Sequence, residues 1–159
     1  WKSNRSKTKM RTRLLSRGHR SLEEAEHELT AVLPGQPDLR SALHYLMAQE
    51  EWGFQLPMAS AVLTVLYPED ATVYDVRVCA ELKRIDPSSD FERLSTLSRF
   101  EPIWEGYQSY IRPVSDAATS ELSLRDKDRW LWGRSFHRDL RKLVEGEVIA
   151  EFDNGAKRL

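Results

Sequence analysis

Apolar residues recur at helical spacing along nearly the whole chain, and glycine and proline are scarce. Ser21-Leu22-Glu23-Glu24 has the form of a capping box, in which a serine and a glutamate three positions on satisfy orphan N–H groups reciprocally. A helix is therefore expected from Leu22, with Leu22, Ala25, Leu29 and Val32 on its inner face and Pro34-Gly35 ending it. Asp38 precedes a second helix carrying Leu39, Ala42, Leu43, Leu46 and Met47 on one stripe. A break follows over residues 51–56, and Pro57 suits the first turn of a third helix, where its missing N–H has no partner to lose. That helix, Met58 to Leu66, is apolar nearly all round, the pattern of a central buried helix.

Further on, Tyr67-Pro68-Glu69-Asp70 reads as a turn and Thr72-Val73-Tyr74 as an extended approach to the next helix. Asp75 stands just before that helix, which should end near Arg84. After a break over residues 86–90, Phe91, Leu94 and Leu97 continue the helical pattern. Ile103, Trp104, Tyr107, Tyr110 and Ile111 make an aromatic helix that Pro113 bends or ends, its rings in the core with their polar edges showing. Ser123 opens a helix over 124–134, and Phe136, Leu140, Leu143 and Val144 carry the pattern to Gly146. Residues 147–159 read as a tail with a short strand over 148–152. The expectation is one all-α domain: a basic arm over 1–20, a helical body over 21–146 and the tail.

Composition removes several classes of function. The 159 residues are 40% hydrophobic and 31% charged, with a mean hydropathy of -0.57. No stretch approaches the roughly 20 apolar residues of a membrane-spanning helix, and the first residues lack the pattern of a signal peptide. The opening at Trp1-Lys2 is what a fragment of a longer protein would show. With Cys79 as the sole cysteine, a disulfide framework, a zinc-thiolate cage and a four-cysteine iron–sulfur cluster are excluded within one chain, and a cytoplasmic setting is expected. His19, His27, His44 and His137 show no paired spacing, and phosphate-binding loops, dinucleotide fingerprints and serine elbows are absent, so no cofactor or metal is expected.

The net charge of -1 conceals an asymmetry. Lys2, Arg5, Lys7, Lys9, Arg11, Arg13, Arg17 and Arg20 fall in a segment without Asp or Glu, and the rest of the chain is correspondingly acidic. Such a segment supplies phosphate contacts that weaken as salt rises, or is a solvated arm. Nucleic acid is the expected partner.

The segment Gly53-Phe54-Gln55-Leu56-Pro57-Met58-Ala59-Ser60-Ala61-Val62-Leu63, followed by Val73-Tyr74-Asp75-Val76-Arg77, resembles the helix-hairpin-helix superfamily of DNA glycosylases. Gly53 takes the first glycine position of the hairpin turn, Ala59 and Ala61 the small positions, and Asp75 the position of the family's aspartate. The chain is also similar to short bacterial helix-hairpin-helix proteins through Trp1-Lys2, residues 57–63, 74–78 and 124–132. The resemblance implies a helix-hairpin-helix domain that binds DNA, with Asp75 stabilising positive charge on the deoxyribose and orienting the attacking water. The alternatives are a non-catalytic nucleic-acid-binding module and an antiphage-defence accessory.

A hairpin of this kind points the N–H groups of its second helix outward, where they can hold a phosphate oxygen. Trp52, Gly53, Gln55, Pro57 and Met58 are the expected contacts there, with Lys2, Arg5 and Arg77 adding positive charge. Trp52 is expected exposed, as loop residues are. Gln55 replaces the second glycine, which puts the close backbone approach in question. Pro57 stands where bifunctional members of the family carry their lysine, so Schiff-base lyase chemistry is not expected at that position, and Lys83 reads as a solvent-facing charge. On residues 125–132, Trp130 or Trp132 could stack on a base with Arg129 or Arg134 near phosphate. The preferred alternative is a helix laced with ion pairs whose tryptophans dock on the core.

Overall fold

The computed structural model describes residues 4–16, 18–48 and 50–145; Lys2, the tail over 147–159 and the strand expected over 148–152 lie outside them. Among the described residues are seven α-helices and two short 3₁₀ segments, with no strand, so the fold is all-α as the periodicity predicts. The helices are α1 (Asn4–Ser16), α2 (Leu22–Val32), α3 (Leu39–Met47), α4 (Leu56–Leu66), α5 (Val76–Ile85), α6 (Phe100–Asp116) and α7 (Leu124–Val144). They fall into two compact units divided after Gln55, so α3 belongs to the first and α4 to the second.

In the first unit, the basic segment is helical over Asn4–Ser16, with Leu14 buried. The Ser21 side chain accepts the Glu24 N–H at 3.2 Å and starts α2, while the Glu24 carboxylate accepts the N–H of Arg20, one residue before the cap. The expected inner stripe is narrower: Leu22 and Val32 are exposed, and burial passes through Ala25 to Leu33 in the following 3₁₀ turn. Asp38 caps α3 by accepting the Ser41 N–H at 2.7 Å, and Ala42, Leu43 and Leu46 are buried as predicted. His19 lies between the Leu14 carbonyl, 2.9 Å from Nδ1, and the Glu28 carboxylate, 2.8 Å from Nε2. Hydrogen bonding to the Leu14 carbonyl and then to Glu28 raises its pKa, because both acceptors favour an imidazolium that donates twice.

In the second unit, α4 is buried on one face only. Leu56, Ala59, Ser60, Leu63 and Thr64 are inside, whereas Val65 is 69% exposed, which corrects the expectation of a helix buried all round. Residues 71–75 belong to no helix or strand, with Asp75 extended, and tyrosine hydroxyls supply what a ladder would. The Tyr107 hydroxyl donates to the Thr72 carbonyl at 2.6 Å and accepts the Thr72 N–H at 3.2 Å. Tyr110 donates to the Val73 carbonyl at 2.9 Å, and the Tyr74 N–H donates to Ser60 Oγ at 2.9 Å. Both α6 tyrosines are fully buried, so their polar edges face backbone, not solvent as expected.

Phe91–Leu97 makes a 3₁₀ segment (Glu92–Thr96) instead of a full helix. Ser95 and Thr96 hydroxyls there donate back to the Glu92 and Arg93 carbonyls, competing with the helical ladder. Helix α6 runs through Pro113 to Asp116, its last turn anchored by buried Val114. The Lys127 ammonium donates to the Ser115 carbonyl at 2.6 Å, satisfying a group that a helix end leaves open. Helix α7 continues without interruption past Gly133, because Leu131 and Ser135 are buried on either side of it. Its later apolar residues, Phe136, Leu140, Leu143 and Val144, are exposed. No helix of the described residues is long and apolar enough to cross a membrane.

Candidate active site

Asp75 is the N-cap of α5: its backbone is extended and its carboxylate accepts the Arg77 N–H at 2.8 Å. The hydroxyl anchors on residues 72–74 fix the chain just before it, so the half-buried carboxylate has a defined place in the second unit. A second carboxylate stands in the same neighbourhood. Asp128 of α7 is 8% exposed, and its Oδ1 is buried without a hydrogen-bond partner, as is the Thr72 hydroxyl. Burial pushes the Asp128 carboxyl up to about 7 and the charge of Asp75 pushes the same way, while the Thr72 hydroxyl and Arg129 act in the opposite direction. The Thr72 hydroxyl therefore acts on Asp128 from close by, but outside hydrogen-bond geometry.

Burial, then the charge of Asp128, raises the Tyr110 phenol far above its ordinary range. Cys79 is buried and its thiol is pushed up to about 12 by that burial, which removes it as a thiolate nucleophile. Lys83 is half-exposed with its ammonium 3.4 Å from Asp90, the solvent-facing charge expected of it. Among the described residues no cluster of His, Cys, Asp and Glu has the form of a metal site.

The hairpin residues are distributed across both units. In the first, Gly53 has φ +56°, the left-handed conformation that glycine takes freely. A Cβ there would also collide with the Arg13 guanidinium. The Gly53 N–H donates to the Ala48 carbonyl and the Phe54 N–H to the Leu46 carbonyl, both at 2.8 Å, which closes the turn after α3. Gln55 is exposed and, like every non-glycine residue described, has no positive φ, so its position makes no demand for a second glycine.

Trp52 departs from expectation. Its ring is 2% exposed, stacked on His19 at 5.4 Å and flanked by Tyr45 and Phe54, so it is core and offers no face to a base. In the second unit, Pro57 occupies the first turn of α4 and Met58 is half-buried. The Arg77 guanidinium is engaged by Asp139 of α7. Arg5 lies in α1.

Asp128 and Thr72 did not stand out as functional residues in the sequence, although a signal was present. Asp128 lies four residues after Leu124 and three before Leu131, on the stripe that α7 buries. Residues 125–132 do carry an ion pair, Arg129 to Asp126 at 3.4 Å. The tryptophans, however, are not docked on the core: Trp130 and Trp132 are 39% and 40% exposed. Comparison with known protein families, with curated proteins and with solved structures finds no match to this chain.

Proposed function

We propose that this chain binds nucleic acid in a reducing, cytoplasmic setting and acts as a monofunctional DNA N-glycosylase of helix-hairpin-helix type, with Asp75 at the reacting sugar. The observation that carries the reading is Asp75, held half-buried as the N-cap of α5, with a second and buried carboxylate, Asp128, within electrostatic reach of it. Burial favours the neutral form of Asp128, and Asp75 is the more accessible carboxylate of the two. In N-glycosidic hydrolysis the C1′–N bond breaks with its electron pair leaving on the base. Positive charge develops on the sugar, and a fixed anion beside it stabilises that transition state. Water then adds to C1′ and gives up its proton, for which the same carboxylate is the acceptor. Pro57 offers no amine, which supports hydrolysis over Schiff-base chemistry there.

A second reading, a nucleic-acid-binding module without catalysis, is favoured by two observations. The Asp75 carboxylate already serves as a helix cap. A cleft of about 520 Å³ in the second unit is lined by residues of α5 and α7 and does not include Asp75.

The deciding experiment is single-turnover base release and binding, measured on duplexes carrying different damaged bases. Borohydride trapping on an abasic duplex accompanies it. Base release without a trapped adduct supports the first reading. Salt-sensitive binding without release leaves the second, and absence of binding at low salt defeats both.

A further inference from the structure

The cleft between α5 and α7 has a composition of its own. Glu81 lies at its base with its side chain 3% exposed, paired with Arg134 through Nε at 3.1 Å and with the Arg138 guanidinium. One buried carboxylate thus positions two arginines at the rim. Among the described residues Arg134 bonds Glu81 through Nε, which directs its terminal N–H groups to another acceptor. Its guanidinium carbon lies 4.7 Å from the centroid of the Trp130 ring, so a cation and an exposed aromatic face are presented together. Arg84 and His137 complete the lining; both are exposed, and neither has an ion-pair partner among the described residues. Three arginines against one glutamate leave these residues with two positive charges in excess. Gly133 on its wall has open space where a Cβ would stand, which keeps the α7 side wide.

Preorganised guanidinium donors match phosphate, and an exposed indole beside them matches a planar base. We propose that this cleft binds a nucleotide unit, its base against Trp130 and its phosphate against Arg84, Arg134 and Arg138. An unpaired residue of a strand and a free nucleotide share this chemistry. The strand as source rests on the nucleic-acid reading above, whereas the free nucleotide does not. An ion-pair network serving only to clamp α5 to α7 would not need Arg84 or an exposed Trp130.

The test measures binding of labelled oligothymidine by anisotropy, and of adenosine monophosphate by calorimetry, at low and moderate salt. The variants are Arg84→Glu, Trp130→Leu and Trp130→Phe, with Arg93→Glu as an exposed charge reversal outside the cleft. All three positions are exposed, so melting temperatures should match wild type. R84E and W130L are expected to weaken binding about tenfold each, with W130F near wild type and R93E without effect. Binding of the monophosphate alone, lost in W130L, places the site on free nucleotides: the cleft stands while the nucleic-acid reading falls. Oligothymidine binding unchanged in R84E and W130L overturns the cleft and leaves the nucleic-acid reading intact. An equal loss in R93E reduces the effect to surface charge and also overturns the cleft. If wild type binds neither probe at low salt, both fail.

Discussion

The Asp128 carboxyl is buried within electrostatic reach of Asp75, and the two differ in how they are satisfied. Asp75 accepts an N–H from its own helix, whereas Asp128 has an oxygen with no hydrogen-bond partner. Burial, and with it the nearby charge of Asp75, disfavours the ionised form of Asp128. The two are thus unequal in surroundings, Asp128 buried on α7 and Asp75 half-buried at the α5 cap.

That asymmetry has a pH signature. The ordinary value of 3.8 for the Asp128 carboxyl rises to about 7 on folding. Between those values the folded chain holds a proton that the unfolded chain has lost, so stability declines as pH rises through this window and levels off above it. Asp128→Asn should remove much of this decline. Urea midpoints for wild type and mutant across acid to neutral pH are the check; parallel curves would show that Asp128 is not the titrating group.

Asp75→Asn separates capping from chemistry. Asn is itself a good N-cap, so the melting temperature and duplex affinity should change little. Loss of the anion facing a developing sugar cation should cost on the order of 3–4 kcal/mol in the barrier, a factor of hundreds in single-turnover base release. A mutant that releases base at the wild-type rate would leave Asp75 as a cap alone.

Gly53→Ala should destabilise by about 1–2 kcal/mol from the left-handed backbone alone. The clash with Arg13 adds to this. Arg13→Ala in the same chain should recover the steric part and not the backbone part, giving a non-additive double-mutant cycle. Additive effects by denaturant melts would mean that Arg13 moves aside without cost.

At the buried glutamate the two partners should behave unequally. Glu81→Met removes the buried charge and leaves arginines whose side chains, 50% and 24% exposed, can turn to water. Arg134→Met with Arg138→Met instead strands Glu81, and an uncompensated buried charge costs about 3–5 kcal/mol. Denaturation should rank the double arginine mutant well below Glu81→Met in stability. The reverse order would contradict this account of the cleft.

The helices themselves were legible in residue spacing because an amphipathic pattern and a capping side chain are local properties. Ser21, Asp38, Asp75 and Ser123 each start the helix expected of them, and the turn at Gly53 takes the φ that its glycine suggests. Burial was less legible, because it depends on what a face meets. Trp52 in a loop is core since His19, Tyr45 and Phe54 close around it, while Trp130 in a helix is exposed. The 3₁₀ segment at Glu92–Thr96 replaced a helix through hydroxyls bonding back to the backbone. The pairing of Asp75 with Asp128, and of Glu81 with Arg134 and Arg138, joins residues more than fifty positions apart in the chain. Sequence alone determined which residues could carry charge, cap a helix or stack. Only the packing of α5 on α7 decided which carboxylate would be short of water and which arginines would be aimed by it, because desolvation and ion pairing arise from neighbours that tertiary structure brings together.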